Sequence, residues 1–123
     1  MSAANAIAFA MPGGESSSGS IRRRPIDLVH LAKQTMDDRL VEQEVLALFV
    51  QQAALVRDGM VHGDSQERLR LAHGLKGSAR GIGAFAIAEC MEAIEKNPFD
   101  EKALKRLPEL VDEARDFIAA ISR

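Results

Sequence analysis

His73, Lys76, Gly77 and Arg80 recur at three- and four-residue spacing within His73-Gly74-Leu75-Lys76-Gly77-Ser78-Ala79-Arg80-Gly81-Ile82-Gly83-Ala84. At about 100° per residue they share one helix face with Leu69 and Arg70, one turn earlier, while Leu71, Leu75, Ser78 and Ile82 fall opposite. One face can enter a core while the other holds an imidazole in water among cations, beside a position with no side chain. Neutral imidazole is nucleophilic near physiological pH. It can attack an acyl phosphate and later surrender the phosphoryl group. The loaded ring gains negative charge and acceptor oxygens. Lys76 can bring an ammonium to them, and Arg70 and Arg80 add longer-range positive potential. Leu69 places an apolar side chain where solvent is expected, as a docking surface would.

The same segment is a poor helix former. Gly74, Gly77, Gly81 and Gly83 crowd into it, and each interior glycine costs roughly 1 kcal/mol relative to alanine. Close helix packing explains a glycine on the buried side but not Gly77, which shares the His73 face. A missing side chain there clears space for a partner's backbone or for a phosphoryl group.

The elements that must hold this face are helical. The chain has 123 residues, 46% of them hydrophobic and 28% charged, with Phe as the only aromatic. That is enough for one domain plus a tail, and a core without Tyr or Trp favours helices over strands. The net charge of −2 argues against generic nucleic-acid binding. No apolar run reaches membrane-spanning length. A start without a positive region is unlike a secretory signal, and the single cysteine, Cys90, calls for no oxidising compartment. A cytoplasmic monomer is expected.

Residues 1–24 read as a flexible tail, with the Gly/Ser run Pro12–Ser20 and the basic step Arg22-Arg23-Arg24, and residues 25–123 as the folded domain. A short helix over Ile26–Ala32 comes first. Asp37 or Asp38 caps a long second helix with Leu40, Val41, Val45, Leu48, Phe49, Ala53, Leu55 and Val56 as its apolar positions. A break is expected from Gly59 through Val61-His62-Gly63, with His62 in a loop. Asp64 or Ser65 starts the third helix; Asp64 with Glu67 has the form of a capping box. It ends near Gly81–Gly83. A fourth runs from Ala84 to Lys96, stopped by Asn97-Pro98, and Asp100 caps the last stretch, where Pro108 either kinks a helix or opens a new one. The fold class expected is all-α: an antiparallel up-and-down four-helix bundle with an additional short N-terminal helix across one end.

The His73 segment resembles the signature of histidine-containing phosphotransfer (HPt) domains of bacterial and eukaryotic phosphorelays. The resemblance rests on His73-x-Leu75-Lys76-Gly77-Ser78-Ala79-x-x-Ile82-Gly83-Ala84, with Ala88 and Ile94-Glu95 agreeing on the next helix, and extends from Pro25 to the C-terminus. It implies that His73 accepts the phosphoryl group, Lys76 assists there, Gly77 admits a receiver domain, and Ser78 and Ala79 pack within the bundle. Gly74 departs from the family, which more often carries a polar or β-branched residue. The partners implied are receiver domains of a hybrid histidine kinase and of a response regulator. Mg²⁺ is expected in the receiver, because this chain brings no comparable carboxylate cluster to His73.

Two rivals belong to other classes: a phosphotransfer module phosphorylated directly by a kinase in trans, and a helical adaptor that binds without phosphorylation. No nucleotide-binding loop is present, so no autonomous kinase activity is expected. His30 and His62 share no metal-ligand spacing with His73, His30 reads as a packing or surface residue, and Cys90 as a small buried hydrophobe.

Overall fold

The computed structural model describes residues 24–122, and the expected tail, apart from Arg24, lies outside them. The described chain forms five helices: α1 (Leu28–Gln34), α2 (Arg39–His62), α3 (Ser65–Ile82), α4 (Phe85–Lys96) and α5 (Glu101–Ile121). Helix α2 packs on α3, α3 on α4, α4 on α5, and α5 back on α2, closing an antiparallel four-helix bundle. Helix α1 lies against α3 at one end.

Aspartates start four of the helices. The carboxylates of Asp27, Asp38, Asp64 and Asp100 accept backbone N–H groups of the first turns, satisfying donors that have no partner within the helix. Of the capping box at Asp64 only one half forms. Asp64 accepts from the Glu67 N–H, but the Glu67 side chain turns to Arg70.

The end of α3 is set by Gly83, whose φ of 90° lies in the left-handed region. A Cβ there would stand 2.9 Å from the Asp27 carbonyl oxygen, so conformation and space both require glycine. The reward for this close approach is the Asp27 N–H donating to the Gly83 oxygen at 3.0 Å, which ties α1 to the α3–α4 corner. His30 adds a second tie, its Nε2 2.9 Å from the Arg80 carbonyl oxygen and its ring edge-on to Phe85.

The core runs along the bundle axis and includes Leu31, Phe49, Val56, Leu75, Met91, Ile94, Leu107 and Val111. On α3 the buried residues are Ala72, Leu75, Ala79 and Ile82. The small side chains of Ala72 and Ala79 let the neighbouring helices come close. Ser78, expected within the bundle, is only half-buried and donates back to the Gly74 carbonyl oxygen at 3.3 Å.

Helix α2 departs most from expectation. It runs unbroken through Gly59 to His62, which is a helical residue and not a loop residue. Gly59 is where α2 and α3 meet: a Cβ added there would lie 2.7 Å from Leu71 Cδ1. Its core face is Leu46, Phe49, Ala53, Val56 and Met60. Leu40, Val41, Leu48 and Leu55, expected as core positions, are exposed. The apolar residues of α2 serve two faces, and a three-and-four spacing merges them. Pro108 sits inside a continuous α5. The helix loses one internal hydrogen bond there, but Leu107, Leu110 and Val111 are buried around it and hold its line. Helix α1 begins two residues later than expected, because Asp27 is its cap.

Candidate functional site

His73 projects from the middle of α3, and its side chain is 78% exposed. The α3–α4 hairpin brings Glu95 to it. His73 Nδ1 lies 2.9 Å from Glu95 Oε2, and the other carboxylate oxygen of Glu95 pairs with Lys76 Nζ. One carboxylate therefore positions both chemical groups. Lys76 and Glu95 are 19% and 22% exposed, so the imidazole stands on a partly buried ion pair.

Electrostatics fix the tautomer. The Lys76 ammonium, and after it the His73 hydrogen bond, hold the Glu95 carboxyl below its ordinary value. An ionised carboxylate can only accept, so the Nδ1 proton of His73 donates to it. In the neutral ring this leaves the lone pair on Nε2. A depressed carboxyl pKa contributes stability that is complete above the ordinary value and is lost as pH falls through the lowered one. The His73–Glu95–Lys76 cluster should thus stay intact from neutral pH down to about 4.5, the ordinary value. In a carbon-13 NMR titration the Glu95 carboxyl is expected to show a midpoint below 4.5. A midpoint at or above it would mean that these contacts do not persist in solution.

The remaining expected site residues fall on the same face, and the two arginines among them are each paired with a glutamate. Arg70 makes two hydrogen bonds to Glu67, at 3.2 and 2.7 Å. Arg80 reaches Glu92 of α4 at 3.4 Å. Leu69 is exposed one turn before His73. A Cβ built on Gly77 meets nothing within 4 Å, and the same holds for Gly81. At Gly74 the nearest atom is Gln52 Nε2 of α2, at 3.9 Å. No packing among the described residues demands glycine at these positions, so the surface they form beside His73 is a furrow without side chains.

Two elements of the site have no role in the sequence reading. Glu95 matches the family pattern, but its place beneath His73 and Lys76 follows from hairpin geometry. The turn at Gly83–Ala84 lays α4 antiparallel on α3, and this pairs Lys76 with Glu95 and Arg80 with Glu92. The second is the exposed apolar flank of α2, on the α2 side of the furrow. Cys90 is remote from this chemistry: its thiol donates to the Ala103 carbonyl oxygen at 3.2 Å, and burial pushes it up to about 11. His30 is occupied between Arg80 and Phe85. No helix among the described residues is long and apolar enough to cross a membrane.

The family model described as the Hpt domain matches residues 27–123, the whole bundle from the cap of α1 onward. No curated protein and no solved structure gives a match.

Proposed function

The chain belongs to the Hpt-domain family, a phosphotransfer module of two-component signalling, and on that premise we propose that it carries a phosphoryl group on His73 between two receiver domains. The observation that supports this most is the pairing of an exposed imidazole with the Glu95 carboxylate at Nδ1, next to the open space over Gly77.

On this reading Nε2 of His73 attacks the phosphorus of a receiver's aspartyl phosphate. The Nε2–P bond forms, the P–O bond to the acyl carbon breaks, and the aspartate leaves as a carboxylate on the receiver. The ring becomes cationic as the bond forms, and Glu95, accepting the Nδ1 proton's hydrogen bond, stabilises that charge. Lys76 is anchored by Glu95 with donors to spare and turns them to the phosphoryl oxygens. The second half-reaction runs the same bonds in reverse onto an aspartate of another receiver. Catalysis is then chiefly positioning and charge stabilisation shared between two proteins. This reading assigns Mg²⁺, which shields phosphoryl charge, to the partner's acidic pocket. The chain acts as a monomer, with the Gly74–Gly77–Gly81 furrow, Leu69, Arg70 and Arg80 meeting the partner.

The test is transfer from phosphorylated receiver domains to the full chain, with His73→Ala as the control. Acid-labile phosphate on the wild type alone is the expected result. Failure of several receivers to transfer to the folded protein would overturn the reading. It would leave a kinase acting directly in trans, tested with ATP and kinases stripped of their receivers, or an adaptor that is never phosphorylated.

A further inference from the structure

An apolar ridge runs along α2 from the end where the described chain begins. Val41, Leu48 and Leu55 are seven residues apart and so lie along one line of the helix. Leu40 precedes them, and Met36 stands in the turn before α2. Leu48 is 65% exposed, Leu55 71%, Leu40 73% and Met36 86%. The ridge borders the glycine furrow: Gln52, one turn from both Leu48 and Leu55, is the α2 residue that touches the Gly74 position.

We propose that Ala6-Ile7-Ala8-Phe9-Ala10-Met11 of this same chain lies on the ridge and competes with the docking partner for the His73 face. The proposal rests on the phosphotransfer reading above for its consequence, but not for its placement. The first argument is where the chain enters. Arg24 stands three residues before Asp27, which is bonded to Gly83 at the end of α3. Helix α2 begins at this same end, so the preceding 23 residues attach where the ridge starts. Leu48 is about 14 Å along α2 from Arg39, and His73 about 15 Å along α3 from Gly83, at roughly 1.5 Å per residue.

The second argument is reach. Twelve residues, from Pro12 to Arg23, join Met11 to Arg24, and nine of them, Pro12–Ser20, are proline, glycine, serine or glutamate. A Gly/Ser-rich chain of that length spans roughly 17–21 Å root-mean-square. The linker therefore matches the distance to the middle of the ridge, and a tether of this kind supplies a millimolar effective concentration. The third argument is chemistry. Residues 6–11 carry no charge and include Ile7, Phe9 and Met11, the large apolar side chains that a strip of leucines and a valine would accept. Behind them the sequence carries Arg22-Arg23-Arg24, ahead of the end of the bundle that bears Asp37, Asp38 and Glu44 beside Lys33 and Arg39.

The test compares the full chain with its Ile7→Asp/Phe9→Asp variant in two measurements. Without any partner, methyl NMR is expected to show shifts at Leu40, Val41, Leu48 and Leu55 between the two proteins. Unchanged ridge methyls overturn the proposal whatever a receiver does, and so do shifts that vary with protein concentration, which would mean that the ridge pairs with a second copy. With a phosphorylated receiver, the variant is expected to show an apparent affinity about fivefold tighter at an unchanged saturating rate, as for a ridge covered four-fifths of the time. Equal affinity overturns the competition. If no receiver transfers to either protein, the phosphotransfer reading and the competition fall together, and the ridge methyls still decide where the segment lies.

Discussion

Gly77→Leu is expected to lower the second-order rate of phosphotransfer by about 100-fold or more while leaving the bundle intact or more stable. The two halves of this expectation come from the same observation. A Cβ at Gly77 finds open space, so a longer side chain projects into solvent and strains nothing in this chain. Leucine also relieves a helix-propensity cost of roughly 1 kcal/mol. The new side chain stands one turn from His73, in the space an incoming phosphoryl group and its carrier must cross. Misplacing reacting atoms by about 1 Å can cost a factor near 100. Stopped-flow or quench transfer assays give the rate, and a thermal melt gives the stability. Gly77→Ala should fall between, more stable than the wild type and only mildly slower. Wild-type transfer by the leucine variant would mean that the partner approaches from another side.

Lys76→Ala is expected to slow transfer roughly 30-fold, about 2 kcal/mol for one charged hydrogen bond to the phosphoryl group. The structure adds a second consequence. Lys76 neutralises Glu95; without it the carboxylate, held only by the His73 hydrogen bond, keeps its charge at the edge of the site and repels the incoming phosphoryl group. Glu95→Gln keeps an acceptor for the Nδ1 proton and removes that charge. The double variant Lys76→Ala/Glu95→Gln should therefore transfer faster than Lys76→Ala alone, a non-additivity that a double-mutant cycle measures directly. Strict additivity would show that Glu95 and Lys76 act separately, despite sharing a carboxylate.

The local chemistry of the chain made much of this legible beforehand. Asp38 and Asp64, each one of two candidate caps, and Asp100 mark helix starts because a carboxylate answers unpaired N–H groups within three residues. The spacing of His73, Lys76, Gly77 and Arg80 placed them on one face for the same local reason. What stayed hidden depends on pairing between helices. Glu95 lies 22 residues from His73, and only the hairpin at Gly83 and Ala84 brings them together. The α2 ridge reads as core in the sequence because hydrophobic periodicity reports which residues share a face, not which face meets the core. Gly59 reads as a break because glycine weakens helices in general; in the fold it admits Leu71.

The three cations around His73 are already matched, Arg70 by Glu67, Lys76 by Glu95 and Arg80 by Glu92. The empty carrier thus shows an approaching protein little net field from these groups, and ionic screening has little to act on. On the proposed reading, loading puts about two negative charges on the phosphoryl oxygens above a ring that has turned cationic, a net gain of about one against that cancelled background. Long-range steering then belongs to the phosphorylated form alone. Ionic strength acts unequally on the two directions of exchange, giving the cell's salt a say in which way the relay runs.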